Sequence, residues 1–195
     1  MPELFYPASP APVLPAPRAS SPRNAAPPEE MFPVVEESGL VTAQMRRSYA
    51  HGGSHLLHPV VHLHIINRYG EIYLQRRSPD KDFLPGLWDT AVGGHVIYGE
   101  QPLEALYREA AEELGLYDFN PYFLDSYVYE SRTEREFAYV WAIVGNYDLH
   151  PDNAEVAEGR YWSETDLLQA FVAGKVTPMF ESEYRRFSPA IQALL

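Results

Sequence analysis

The chain has 195 residues, 46% of them hydrophobic and 22% charged, enough for one domain with a substantial core, with or without a tail. A formal net charge of −12 excludes bulk binding to duplex nucleic acid or to an anionic membrane, so any anion binding must rest on a local group of Arg and Lys. Cysteine is absent, which excludes disulfides, thiolate metal sites and a cysteine nucleophile.

No apolar run approaches the ~20 residues that span a bilayer, and no apolar block follows a basic start. A cytoplasmic protein is the default expectation. Residues 1–30 hold nine of the eighteen prolines and no periodic apolar face. Such a segment is expected to be disordered or extended, a tail that is passive or a proline-rich ligand. Met31 begins the sequence that reads as folded and is a candidate for the true start of translation.

In chain order, Phe32 to Glu36 and Leu40 to Ala43 read as two short strands around Gly39. Val60 to Ile66 is β-branched and reads as a strand on which His62 and His64 share one face. Asn67 to Gly70 makes a turn into a strand at Glu71 to Gln75. Arg76 to Gly86 is a polar connection carrying Arg76, Arg77 and Lys81, and Leu87 to Gly93 reads as one more strand. Further on, Tyr122 to Glu130 and Phe137 to Val144 pair as strands, and Gly159 to Trp162 is a short one. Ser163 caps a helix to about Val172, and a last helix runs from about Glu181, bent at Pro189.

Between the strands lies Gly94, then Glu100, then Arg108-Glu109-Ala110-Ala111-Glu112-Glu113-Leu114-Gly115-Leu116. On a helix Glu109, Glu112 and Glu113 fall within ~100° of one another, beside an apolar arc of Leu103, Leu106, Ala110 and Leu114. Glu100 suits the positive end of the helix dipole, Pro102 its first turn, and Gly115 the left-handed turn after it. Three carboxylates so crowded repel each other unless a cation lies between them, and hard oxygen ligands suit Mg²⁺ or Mn²⁺.

This spacing resembles the Nudix box, GX5EX7REUXEEXGU with U a bulky aliphatic residue, at every fixed position. Ala110 at the first U is the one departure, and it concerns packing. The resemblance implies an α/β/α Nudix sandwich with a mixed β-sheet over residues 31–195. It implies a divalent-metal-dependent pyrophosphohydrolase of a small-molecule diphosphate, with attack by a metal-bound water. Glu112 and Glu113 would then be the main ligands, Glu109 a ligand or base, and Arg108 the partner of Glu109 or Glu100. The resemblance also allows a homodimer.

His51 and His58, Arg76 to His95, and Glu134-Arg135-Glu136 further resemble the type 1 isopentenyl-diphosphate isomerases of the same superfamily. That likeness implies a metal held by His51, His58, His95, Glu134 and Glu136, a diphosphate gripped by Arg77 and Lys81 near Gly94, and a place for Trp88. The isomerase's cysteine is replaced by Gly93, which has no side chain for acid–base work. Hydrolysis of a nucleoside diphosphate-X or related anhydride is therefore the main reading. Isomerisation with Tyr98 or Glu136 as the acid, or a non-catalytic nucleotide-binding module, are the alternatives. A further glutamate outside the box could come from Glu134 and Glu136, or from Glu155 and Glu158. Tyr49, Tyr98, Tyr129 and Trp88 are candidates to stack on a base.

Overall fold

A computed structural model describes residues 2–14, 29–80, 84–151 and 156–195. In chain order the elements are β1 (Met31–Val35), β2 (Val41–Arg46), α1 (Arg47–Ala50), β3 (Leu57–Ile66), β4 (Ile72–Arg77), β5 (Trp88–Asp89), β6 (Val92–His95), α2 (Pro102–Leu114), β7 (Tyr122–Glu130), β8 (Arg135–Val144), β9 (Val156–Trp162), α3 (Glu164–Val172) and α4 (Pro178–Gln192). β1 and β2 form an antiparallel pair, and the main sheet runs β5-β4-β3-β8-β7, with β6 beside β3 and β9 beside β4. This is the mixed-sheet α/β sandwich that the box implied.

The chain gathers into two compact units, Met1–Val61 with His95–Ala105 and Ser126–Tyr139, and His62–Gly94 with Leu106–Asp125 and Val140–Leu195. In the first unit Phe32, Met45 and Ala50 form an apolar cluster under Leu14, Tyr49 and Leu56. Residues 2–14 are anchored by isolated bridges at Phe5 and Val13. Phe5 exchanges backbone hydrogen bonds with Gly39 and Val41, Leu14 N–H donates to Gln44 O, and Leu4 and Ala11 are buried. The non-proline residues between the prolines keep enough donors to pair, which composition alone does not reveal. Residues 15–28 lie outside the described residues.

In the second unit Leu74, Trp88, Trp162, Leu167, Phe171 and Phe180 make the core. β4 and β9 pair in register from Ile72 opposite Trp162, and the Tyr73 ring lies over Gly159, where any Cβ would collide with its hydroxyl. That contact explains a glycine inside a strand.

Several boundaries differ from expectation. β3 begins at Leu57 and includes Pro59. The expected strand from Leu87 to Gly93 is two pieces, broken at Thr90-Ala91. α4 starts at Pro178 rather than near Glu181, because Thr177 accepts from Phe180 N–H and Pro178 fits the first helical position. The box helix keeps its expected bounds. Gln101 N–H donates to Glu104 Oε2 at its start. Gly115 takes φ +61° at its end, with Leu116 N–H bonded to Ala110 O and Gly115 N–H to Ala111 O. Glu100 lies two residues before the helix. It accepts from Ile97 N–H at 3.0 Å and closes the preceding turn.

Candidate active site

The box carboxylates are set by two glycines. Gly93 N–H donates to Glu113 Oε2 at 3.1 Å, and Gln75 Nε2 donates to the same oxygen at 3.1 Å, so this buried carboxylate is fixed between β4 and β6. Glu109 lies directly on Gly94, where an added Cβ would overlap the Glu109 carboxyl carbon. Only glycine there lets the backbone come this close.

Arg108 Nη1 donates to Glu109 Oε1 at 2.8 Å and to Glu112 Oε2 at 3.2 Å. The guanidinium thus stands between two of the three box acids and offsets their repulsion. Glu109 is 14% exposed and Glu112 61%, so the three acids differ in setting. Among the described residues they do not form a trio with oxygens within 4.8 Å of one another. The three carboxylates are graded in setting. Glu113 is fixed, Glu109 is held by Arg108, and Glu112 is largely in solvent.

In the other unit the structure brings together residues that are far apart in sequence. One ligating atom each from His58, His95 and Glu136 lie within 4.8 Å of one another. The rings of Phe32 and His95 stack at 4.4 Å with 3° between planes, and His58 stacks on His95 at 5.5 Å. His58 Nδ1 donates to Leu56 O at 2.9 Å, which turns Nε2 toward the cluster, buried and without a hydrogen-bond partner among the described residues. Burial pushes the His58 imidazole below its usual value. The Leu56 hydrogen bond and Glu134 oppose this, and His51 adds to it.

His51, just after the single turn α1, pairs with Glu134 at 2.6 Å. Burial pushes the Glu134 carboxyl up. The His51 hydrogen bond and the charges of His51, His58 and Arg47 outweigh it, and the carboxyl sits below the usual range.

Other candidates are placed differently. Arg77 pairs with Asp89 at 3.2 Å, and Asp89 also accepts from Thr90 N–H and Thr177 Oγ1. Lys81 and Glu155 lie outside the described residues. Glu158 faces Arg76 at 3.7 Å on the surface. Trp88 is a core residue packed on Trp162, and the Tyr98 hydroxyl accepts from Ala11 N–H. Sequence reasoning missed Glu183, which is fully buried on α4 against His62 and His64. A glutamate at helical spacing between Phe180 and Phe187 was the available signal.

The family model of the NUDIX domain matches residues 56–182. An uncharacterised Nudix hydrolase of Listeria monocytogenes is 31% identical over 135 residues, covering 64% of this chain and 74% of that protein. The uncharacterised Nudix hydrolase YfcD of Escherichia coli is 40% identical over 87 residues, covering 45% of this chain and 48% of that protein. The crystal structure of DR0079 from Deinococcus radiodurans superposes with TM-score 0.69 at 27% identity, covering 80% of this chain and 98% of that one. The NUDIX domain of Shewanella oneidensis NrtR, solved with ADP-ribose, shares the fold with TM-score 0.50 at 18% identity, covering 57% of this chain and 75% of that one. None of the helices among the described residues is long and apolar enough to cross a membrane.

Proposed function

This chain belongs to the Nudix family of hydrolases acting on phosphoanhydride bonds, and on that premise we propose that it is a divalent-metal-dependent pyrophosphohydrolase of nucleoside diphosphates linked to a second moiety. The observation that carries the proposal is the seating of Glu109 on Gly94 and of Glu113 on Gly93. Two carboxylates are thereby delivered to one short run of bare backbone.

The donor set fits Mg²⁺ or Mn²⁺. Glu109 and Glu113 would hold the ion, with Glu112 as a further carboxylate from solvent, all through hard oxygen atoms. When bound, the ion supplies positive charge for phosphate oxygens and a lower pKa for water. Arg108 keeps Glu109 aimed. Gly94 leaves room for the Glu109 carboxyl against the backbone. The ADP-ribose bound to the Shewanella relative makes that compound a reasonable first probe.

The cluster of His58, His95 and Glu136 supports a second metal site, with His51 and Glu134 behind it. Two imidazoles and a carboxylate favour Mn²⁺ or Zn²⁺. The isomerase alternative has no acid at Gly93, and its substitutes are engaged, Tyr98 with Ala11 and Glu136 in the histidine cluster.

The test is a panel of phosphoanhydrides, with Mg²⁺, Mn²⁺ or no added metal, scored by product mass. Glu109→Gln and Glu113→Gln are each expected to lower turnover at least ~100-fold, because cation and nucleophile lose their alignment. Wild-type turnover in both variants would overturn the assignment.

A further inference from the structure

Gln75 is 4% exposed in the middle of β4, where the preceding core positions are Ile72, Tyr73 and Leu74. A buried amide costs free energy unless its hydrogen bonds are made. Its Nε2 donates to Glu113 Oε2 at 3.1 Å, and the Gly93 N–H reaches the same oxygen at 3.1 Å. Gln75, Gly93 and Glu113 all belong to one unit.

The neighbours of Gln75 leave its side chain little choice. Gln75 pairs with Asp89 of β5 and with Gly159 of β9, so these residues share a face of the sheet with Tyr73 and Arg77. Asp89 is tied by Arg77, by Thr177 Oγ1 and by the Thr90 N–H. The Tyr73 hydroxyl fills the space where Gly159 would carry a Cβ. The guanidinium on this face is turned to Asp89, and what Glu113 receives from β4 is an uncharged amide.

A carboxylate oxygen has two lone-pair sites in the plane of its group. On Oε2 the Gly93 N–H and the Gln75 amide fill both. A cation that takes Glu113 is therefore directed to Oε1, and chelation through both oxygens is closed. Both donors on Oε2 are neutral, so they set the direction of the carboxylate without cancelling its charge. Glu109 is treated in the opposite way, by the Arg108 guanidinium at 2.8 Å. The distinction matters for the choice of ion. Mg²⁺ is small and holds strict octahedral geometry, whereas Ca²⁺ accepts carboxylates through one oxygen or two in a looser shell.

We propose that Gln75 is a positioning residue that sets ion specificity, its amide holding Glu113 to one ligating oxygen and so favouring Mg²⁺ over Ca²⁺. The proposal rests on the metal-dependent hydrolase reading above. Gln75 acts through Glu113 and is not itself a ligand.

The experiment is titration calorimetry of the full chain with Mg²⁺ and with Ca²⁺, for the wild type, Gln75→Leu and Gln75→Met. Both ions seek oxygen, so the imidazole cluster contributes little to the heats. In parallel, infrared difference spectra record the carboxylate stretches at saturating ion, and the bands missing from Glu113→Gln belong to Glu113. The wild type is expected to prefer Mg²⁺ and to show the wide separation of the two stretches that ligation through one oxygen gives. Each Gln75 variant should weaken Mg²⁺ binding ~10-fold and leave Ca²⁺ nearly unchanged. With Ca²⁺ the Glu113 stretches of the variants should draw together, as chelation becomes open.

An unchanged ratio of the two dissociation constants in the variants overturns the proposal, as does a narrow separation in the wild type with Mg²⁺. If neither variant folds, the wild-type spectrum decides. Where either overturning result comes with anhydride cleavage in Mg²⁺, the hydrolase reading stands and the role of Gln75 alone is removed. Selective Mg²⁺ binding that depends on Gln75, with no anhydride cleaved, removes the hydrolase reading and keeps that role.

Discussion

His51, His58, His95, Glu134 and Glu136 stand in one unit, and His62, His64 and Glu183 in the other. The residue types are the same and the environments are opposite. In the first set His58 Nε2 has no hydrogen-bond partner among the described residues, and it shares a small volume with atoms of His95 and Glu136. In the second set both oxygens of Glu183 already have a histidine nitrogen within 3.3 Å. The first arrangement offers lone pairs to an incoming cation, whereas the second is closed on itself. Composition alone therefore does not define a metal site. What decides is where the second nitrogen of each ring points and whether the carboxylate charge is already matched.

The sealed set should carry the larger share of stability. Glu183→Ala removes the anion from two buried histidines and is expected to cost about 3–5 kcal/mol. For a chain of this length that lowers Tm by roughly 10 °C. The sign of the pH dependence follows from the depressed carboxyl. Its folded pKa lies below its unfolded one, so its contribution is complete above about pH 5 and is lost as pH falls through ~4.3 and below. Thermal melts of both proteins from pH 7 to pH 3 should show the gap closing toward acid. Equal Tm at pH 7 would mean that the sealed set contributes no net stability.

The open set should respond to metal instead. At a Zn²⁺ concentration of about 100 Kd, linkage predicts a gain near 2.7 kcal/mol, seen as a rise in Tm. His58→Ala should abolish the rise, while Glu113→Gln, which leaves this cluster untouched, should keep it. The same zinc-dependent rise in His58→Ala would remove the distinction between the two sets.

How far each set was legible in the sequence follows from the range of its contacts. The box is a local helical pattern, so α2 and the side-by-side acids could be read from spacing alone, down to the Gly115 turn. The roles of Gly93 and Gly94 as seats for Glu113 and Glu109 could not, because they depend on how closely β6 approaches α2. His58, His95 and Glu136 were visible only through resemblance, since no periodicity links three elements. Glu183 lies 121 residues from His62, and its partner was hidden for the same reason. A buried glutamate on the apolar stripe of α4 was a readable anomaly. Arg77 shows the reverse case. It reads from sequence as a candidate phosphate contact, and its partner Asp89, 12 residues on and itself bonded to Thr177 across 88 residues, is not readable from spacing.

His51 and Glu134 give the smallest and most discriminating test. They pair at 2.6 Å, nearly the distance between His62 and Glu183, but His51 is 33% exposed and water screens the interaction. Glu134 has a depressed carboxyl for the same reason as Glu183, with histidine contacts outweighing burial, so its contribution also fades as pH falls below about 4.3. Once discounted for exposure, His51→Ala is expected to cost about 0.5–1 kcal/mol, a Tm change of roughly 2 °C. If distance set the strength of these pairs, His51→Ala would cost as much as Glu183→Ala. If exposure sets it, the two melts differ several-fold at pH 7 and converge in acid. A His51→Ala loss near that of Glu183→Ala would show that the contrast between sealed and open sets is not one of solvent.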